Sequence, residues 1–276
     1  MPFCEVAVAT KLYYEDFGEG PALVFTPSGS LTHKMWSSQV AALAGEYRTV
    51  TYDWLGTAAS DKPKSGYTVE NATANLCALI ERLGLAPAVL VSHGIGMHPT
   101  VLAACTRPDL VAGLVLASSA PWFTGVRDGV RGGLSQEFMD FLAAANGPAM
   151  SYSQFLSELS ARLLFHHPQP PSVHHSLLEE GLTWPQHVMS AYAKSMMSID
   201  HRERLARIEC PAMIIHGRHD RKTHREGAVY LAAHMKHARL VTLENSAHMG
   251  QFEEIDAFNG ALKSFLAGIR APKRAA

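Results

Sequence analysis

The N-terminal half of the chain alternates short apolar runs with amphipathic helical patterns. The apolar runs lie at 21–27 (PALVFTP), 87–92 (PAVLVS) and 113–119 (GLVLASS), and residues 47–52 (YRTVTY) are strand-like. Apolar positions recur at helical spacing over residues 70–83, where Gly84 ends the pattern, and again from Met97 to Cys105. Continuous apolar strands separated by amphipathic helices predict a mostly parallel sheet with helices on both faces.

The alternation stops at about Pro121 and resumes after Arg204. The intervening stretch has no convincing strand, and it carries aromatic-rich helical pieces such as SQEFMDFLAAA and YSQFLSELSARLLF. Strand and helix patterns then return with PAMIIHG at 211–217, LVTLE at 240–244 and helices near 226–235 and 254–268. We therefore predict one α/β core domain formed by residues 1–121 and 205–276, with a helical cap inserted at 122–204.

The amino-acid composition limits the classes of protein to which this chain can belong. Apolar residues make up 47% and charged residues 18% of the 276 positions, which indicates a globular chain and excludes a coiled coil or a mostly disordered one. Lys and Arg number 24 against 25 Asp and Glu, so no basic excess is available to bind a nucleic-acid backbone. The expected partner is a small-molecule substrate, and the sequence does not decide between a monomer and a homodimer.

Targeting features point to a cytoplasmic protein. No stretch approaches the roughly 20 apolar residues of a membrane span, and the N-terminus shows no basic region followed by an apolar core. The cysteines are widely spaced and form no CxxC pair, which favours reduced thiols: Cys4, Cys77, Cys105 and Cys210.

Paired histidines in the cap could suggest a metal site. They occur in the segment HHPQPPSVHH, as His166, His167, His174 and His175. The pairs flank prolines and have no cysteine nearby, so we interpret the segment as an exposed loop. No metal and no cofactor is expected.

A strand-to-helix turn at Val91–Met97 is the first feature that carries chemistry. The flanking Ser92 and Gly96 are small, as a sharp turn of closely approaching chain requires. In a nucleophile elbow the central residue is Ser, Cys or Asp, held in a strained conformation above the sheet. Here the central residue is Gly94, which has no side chain.

Two further sites follow the last two predicted strands. Asp220 comes a few residues after PAMII, and His248 opens the loop after LVTL. A carboxylate in such a place can hold an imidazole in one tautomer and stabilise its protonated form. Because ligands of open α/β sheets bind at the carboxyl ends of the strands, we expect these loops and the turn at Gly94 to converge.

The order elbow, acid, histidine is the α/β-hydrolase order. The chain resembles an α/β-hydrolase over nearly its whole length. Its N-terminal half, notably MWSSQVAALAGEYRTVTYDWLGTAASDKP, is similar to the 3-oxoadipate enol-lactonase branch and its esterase relatives. The segments IECPAMIIHGRHD and ENSAHMGQFEEIDAFNGALKSFL match that family's acid and histidine segments. The resemblance implies hydrolysis of a small carboxylic ester or lactone by a Ser-His-Asp mechanism.

The resemblance also implies roles for individual residues. Asp220 would be the orienting acid and His248 the general base. Backbone N–H groups of Gly29 or Ser30 would form half of the oxyanion hole, and the N–H of Ile95 the other half. Two such donors are typically worth about 2.7–4 kcal/mol each in the transition state.

The substrate pocket is expected to have apolar walls with few polar groups, as a small ester or lactone requires. Ser28 lies beside the predicted oxyanion loop and could contact the substrate. Trp122 follows the strand at 113–119 directly and Met249 adjoins His248, so both are candidates for the pocket wall.

Gly94 leaves three interpretations open. The chain could be a serine hydrolase inactivated by a serine-to-glycine change. It could be a natural family member without a nucleophile, whose His–Asp pair performs acid/base chemistry without a cofactor. It could also be a small-molecule binding protein. Loss of the nucleophile costs a serine hydrolase several orders of magnitude in rate, so little or no ester hydrolysis is predicted for the chain as it stands.

Overall fold

The computed structural model describes residues 2–145 and 150–269. Its ten strands are β1 (Phe3–Ala7), β2 (Thr10–Phe17), β3 (Ala22–Thr26), β4 (Arg48–Tyr52), β5 (Ala88–His93), β6 (Val111–Ala117), β7 (Val126–Arg127), β8 (Val130–Arg131), β9 (Ala212–Gly217) and β10 (Ala238–Leu243). Eight of them form one sheet in the order β1-β2-β4-β3-β5-β6-β9-β10. Strands β1 and β2 are antiparallel to their neighbours, and the pairs from β4 to β10 are parallel. The prediction of a mostly parallel sheet is confirmed.

Helices cover both faces of this sheet. They are α1 (Ser37–Leu43), α2 (Val69–Arg82), α3 (Met97–Thr106), α4 (Gln136–Ala145), α5 (Tyr152–Leu163), α6 (Pro171–Leu182), α7 (Gln186–Met197), α8 (Arg202–Leu205), α9 (Arg225–His234), α10 (Gly250–Glu253) and α11 (Ile255–Gly268). Alternate residues of β3 and β5 pack into two cores: Val24 and Leu90 on the side of α2, α3 and α9, and Phe25 and Val91 on the side of α1 and α11. Period-two side chains of a parallel strand thus bury both faces.

The segment between β6 and β9 contains helices α4 to α8 and differs from the sequence prediction in two places. Strands β7 and β8 form a short antiparallel hairpin where no strand was expected. Its turn is Asp128-Gly129, with φ of +53° and +75°, the left-handed pair that a tight two-residue hairpin needs.

The second difference concerns the histidine-rich segment. The exposed-loop prediction is wrong for His174 and His175, because α6 begins at Pro171, a residue well suited to a first helical turn. His174 Nδ1 lies 2.7 Å from Ser160 Oγ and so links α6 to α5.

Among the described residues, no helix combines the length and the apolar character that a membrane span requires.

A buried histidine pair joins α3 of the core to the end of the segment predicted as the cap, residues 122–204. His98 Nδ1 on α3 lies 2.9 Å from His201 Nε2, and the two rings are stacked. The other nitrogen of each ring is buried without a hydrogen-bond partner among the described residues. Burial lowers the pKa of His201 to about 4, and burial beside His201 holds the pKa of His98 well below its ordinary value. Both rings are therefore neutral near pH 7.

We expect this pair to make the fold acid-sensitive. Between pH 6.5 and about 4 the unfolded chain protonates His201 while the folded chain does not, so the free energy of unfolding falls as the pH falls. The loss from His201 alone is about 3 kcal/mol by pH 4. Urea unfolding at several pH values measures it. His201→Gln should flatten the pH dependence, and His175→Gln on the exposed side of α6 should leave it unchanged. Equal slopes for all three proteins would contradict this account.

Candidate active site

The turn after β5 has the geometry of a nucleophile elbow. A 3-10 turn at Gly94–Gly96 connects β5 to α3, and Gly94 has φ +53°. An ideal Cβ on Gly96 would lie 2.7 Å from the Pro27 carbonyl oxygen, so only glycine fits there without a shift. Ser92 lies beneath the turn with its Oγ 3.2 Å from Thr100 Oγ1. The close approach predicted for this turn is present, and its central residue carries no side chain.

The loops after β9 and β10 are held against each other. Gly217 ends β9, and an ideal Cβ there would lie 2.0 Å from the Ala247 carbonyl oxygen. Beyond it, the Arg218 N–H donates to the Leu243 carbonyl at 2.8 Å and the His219 N–H to the Ser246 carbonyl at 3.0 Å. These contacts bring the loop of Asp220 beside the loop of His248.

Asp220 and His248 form a direct hydrogen bond. The distance from His248 Nδ1 to Asp220 Oδ2 is 2.9 Å, and the two side chains are 1% and 0% exposed. Asp220 Oδ1 accepts from the backbone N–H groups of Lys222 at 2.8 Å and Thr223 at 2.9 Å. Because an ionised carboxylate only accepts, Nδ1 of His248 carries the proton and Nε2 keeps a free lone pair.

The two partners shift each other's pKa in opposite senses. Burial alone would raise the pKa of Asp220, but the charge and hydrogen bond of His248 hold it below its usual value. Burial lowers the pKa of His248, an effect that Asp220 opposes and the nearby Lys222 ammonium reinforces. At neutral pH the pair is therefore a carboxylate and a neutral imidazole, the state that a general base requires.

The free nitrogen of His248 faces Gly94. An ideal Cβ on Gly94 would lie 3.7 Å from His248 Nε2, and this nitrogen has no hydrogen-bond partner among the described residues. The same Cβ would lie 2.8 Å from Ser28 Oγ. The Ser28 hydroxyl thus takes part of the space that a larger residue at 94 would need.

The backbone of His248 is fixed by two inner strands. Its carbonyl accepts from His93 Nε2–H at the end of β5 and from Ser118 Oγ–H just after β6, both at 2.8 Å. The His93 ring also packs edge-on against the His248 ring, with 4.7 Å between centroids. His93 therefore has a structural role, and His248 is held in place without a side chain at residue 94.

The predicted oxyanion donors lie next to each other. An ideal Cβ on Gly29 would lie 2.7 Å from Ile95 Cδ1, so the loop after β3 touches the turn after β5. Within residues 2–145 and 150–269, the N–H groups of Gly29 and Ser30 donate to no protein acceptor. Ile95 is in the first turn before α3, where N–H groups precede the helical hydrogen-bond ladder.

A cavity of about 160 Å³ opens beside these donors. Ser28, Gly29, Ser30 and Ile95 form its inner end, and a smaller extension reaches His248 and Met249. Most of the remaining wall is apolar and comes from the segment between β6 and β9: Phe123, Leu134, Phe138, Leu142, Phe155, Leu159, Met189, Ala193, Met196 and Met197. A cavity near this size holds a ligand of roughly benzene's bulk.

Two of the three pocket residues predicted from the sequence line the cavity, and the third does not. Ser28 and Met249 line the cavity or its extension. Trp122 does not line it, because its buried indole packs against Tyr230 and under the Arg202 guanidinium. The next residue, Phe123, faces the cavity instead.

Lys222 is the site residue that the sequence analysis missed. It is half-buried and lines both parts of the cavity, with Nζ 5.2 Å from the centroid of the Phe138 ring. Its place two residues after the acid, in the same strand-end loop, was the signal that could have found it. It is the cation of an otherwise apolar and hydroxyl-bearing wall among the residues described.

The comparisons with known proteins agree with this architecture. A family model described as alpha/beta hydrolase fold matches residues 21–255. The chain therefore belongs to the alpha/beta hydrolase fold family, and the resemblance seen in its sequence is confirmed.

Similar proteins span nearly the same length. A non-heme haloperoxidase of Rhodococcus erythropolis is 26% identical over 288 residues, covering 96% of this chain and 99% of that protein. A 3-oxoadipate enol-lactonase of Acinetobacter baylyi is 24% identical over 258 residues, covering 92% of each. The solved structure of an esterase from Exiguobacterium antarcticum superposes with a TM-score of 0.87 at 24% identity, covering 96% of this chain and 99% of the esterase.

Proposed function

We propose that this protein hydrolyses a small carboxylic ester or lactone, and that His248 activates water for direct attack on the carbonyl. The observation that carries the proposal is the free Nε2 of His248, which faces Gly94 at the centre of the elbow. Position 94 carries no nucleophilic serine from which His248 could take a proton. The base therefore takes its proton from water. Family membership and the esterase and enol-lactonase among the similar proteins support the reaction class.

The reaction would proceed in two steps. The substrate carbonyl oxygen lies between the N–H groups of Ile95 and of Gly29 or Ser30. His248 Nε2 takes a proton from water as the water oxygen bonds to the carbonyl carbon, and the oxyanion forms against those donors. The carbon–oxygen bond to the leaving alkoxide then breaks, and His248 returns its proton to that oxygen. The products are a carboxylic acid and an alcohol, or one hydroxy acid from a lactone.

Asp220 supports both steps. Its bond to Nδ1 keeps the lone pair of Nε2 directed at the reacting water, and its charge stabilises the imidazolium that forms. Ser28 Oγ lies close enough to the elbow to hydrogen-bond the water or the substrate. Without covalent catalysis the rate should be low compared with that of serine hydrolases.

The native chain is therefore expected to hydrolyse short esters slowly, without a burst and without an acyl-enzyme. His248→Ala should reduce kcat by about 10²-fold, the usual contribution of a general base. Steady-state rates on methyl and 4-nitrophenyl esters measure this, and intact-protein mass spectrometry tests for an acyl adduct.

His175→Ala, on the exposed side of α6, is the matched control and should keep the native rate. An adduct on Ser28 would contradict the direct-water mechanism, and Ser28→Ala identifies that case. Equal rates for the native protein and His248→Ala would overturn the proposed function. Ligand binding without turnover would then favour a binding protein, and proton exchange at a carbon acid without hydrolysis would favour acid/base chemistry of another kind.

A further inference from the structure

We propose that the substrate carries a carboxylate in addition to its ester or lactone group, and that Lys222 binds this carboxylate inside the cavity. The proposal rests on the proposed hydrolase function, and it names the substrate class. It follows from the position of one ammonium group and from the character of the wall around it.

Lys222 shares the cavity with the predicted oxyanion donors. It lines both the main cavity and the extension toward His248, together with Ser28, Gly29 and Ser30. Its Nζ lies 5.2 Å from the centroid of the Phe138 ring, which faces the same space. A small molecule with its carbonyl at the oxyanion donors can therefore place a second group at Lys222.

Apart from the Phe138 ring, the charge of Lys222 has no ion-pair or hydrogen-bond partner in the described parts of the chain. No carboxylate oxygen lies within 4.0 Å of its Nζ, and the ammonium donates no hydrogen bond there. The acids of the neighbouring elements are engaged elsewhere. Asp220 on the same loop binds His248, and Glu137 at the start of α4 pairs with Arg221.

An ammonium ion in this apolar wall loses hydration free energy, and a partner of opposite charge would offset that loss. Burial lowers the pKa of Lys222 to about 8, with the Asp220 carboxylate acting in the opposite direction. The group therefore remains mostly protonated at pH 7. A substrate carboxylate would supply the missing partner, and a neutral ligand of the same shape would leave the charge unpaired.

A pair of isosteric esters tests the proposal. Monomethyl succinate carries a carboxylate where methyl 4-methylpentanoate carries an isopropyl group of similar shape. We expect kcat/KM to favour monomethyl succinate by about 10- to 100-fold, since a hydrogen bond to a charged group is worth about 1.5–3 kcal/mol. Lys222→Met should remove this preference, chiefly through KM. Lys222→Arg keeps the charge and should retain most of it.

Arg221→Met is the matched control. Arg221 adjoins Lys222 but is about half exposed and pairs with Glu137 away from the cavity, so the preference should not change. If Lys222→Met fails to fold, Lys222→Gln and the preference of the native protein still decide the matter. A native protein that hydrolyses both esters equally well would overturn the proposal.

Binding separates this proposal from the proposed function. Calorimetry with succinate and with 4-methylpentanamide needs no turnover. Succinate should bind the native protein at least tenfold more tightly than Lys222→Met, and the neutral amide should bind both alike. Selective succinate binding without any ester hydrolysis would refute the hydrolase and leave the carboxylate site standing. Hydrolysis without charge selectivity would refute the carboxylate site alone.

Discussion

Gly94→Ser combined with Ser28→Ala is expected to raise kcat for ester hydrolysis by about 10³-fold over the native chain and to produce an acyl-enzyme. In serine hydrolases the nucleophile acts as one unit with its histidine, and its removal costs at least this much. Here the histidine, the acid and the predicted oxyanion donors are already in position. The double variant would supply the one missing member.

The geometry explains why two substitutions are needed. Gly94 already has the positive φ of an elbow, and a Cβ there would lie 3.7 Å from His248 Nε2, within reach of a hydroxyl on that carbon. The same Cβ would lie 2.8 Å from Ser28 Oγ, which is too close, whereas Ser28 Cβ is 3.9 Å away and makes an ordinary contact. Ser28→Ala removes only the crowding atom. Gly94→Ser alone should therefore gain less activity.

Burst kinetics and intact-protein mass spectrometry measure the gain. Gly94→Ala with Ser28→Ala is the matched control, because it adds the same Cβ without the hydroxyl, and it should stay at the native rate. The strained backbone at residue 94 should cost both variants about 1–3 kcal/mol of folding free energy. A folded double variant that accepts no acyl group from several short esters would count against the assigned geometry.

Asp220→Asn in the Gly94→Ser, Ser28→Ala background is expected to lower kcat by about 10³- to 10⁴-fold. Asparagine can offer its NH₂ group to Nδ1, which turns the imidazole to the tautomer with its proton on Nε2. The lone pair then no longer faces the serine. The fold should survive, since the amide oxygen can still accept from the N–H groups of Lys222 and Thr223.

The pH profile distinguishes a tautomer effect from simple disorder of the loop. With Asp220 intact, activity should rise with pH as His248 loses its proton. The midpoint of this rise should lie below the pKa of an exposed histidine, because burial lowers the pKa of His248. Thr223→Val is the matched control, because it removes the hydroxyl that donates to the same carboxylate but leaves the bond to His248. It should cost far less activity. Equal losses for the two variants would show that loop integrity, not the tautomer, controls the rate.

Much of the fold could be predicted because its signals are local. Buried parallel strands such as β5 and β9 are continuous apolar runs, and α2 is amphipathic with a Thr68 cap. Strands β1 and β2 were missed because they lie at the sheet edge and carry mixed exposed and buried positions. The hairpin of β7 and β8 was missed because each strand has two residues, too few for periodicity, although Asp128-Gly129 marks its turn.

The candidate site also has a part that the sequence predicts and a part that it does not. Strand ends of a parallel sheet gather at one edge, so the convergence of Gly94, Asp220 and His248 followed from their order and spacing. The cavity wall could not be predicted, because most of its side chains come from the segment between β6 and β9, whose packing depends on contacts distant in sequence. Trp122 and Phe123 show the limit: adjacent aromatic residues point to different sides, and only tertiary packing decides which one meets the substrate.

The hydrogen bonds from His93 and Ser118 to the His248 carbonyl have an evolutionary consequence. They anchor the imidazole through the main chain, so its alignment does not depend on which residue stands opposite. Under the proposed function, a lineage could exchange acyl-enzyme catalysis for direct attack by water, or recover it, by altering side chains at positions 28 and 94 on an unchanged scaffold. Sequence scans that discard family members lacking the elbow serine would overlook such enzymes.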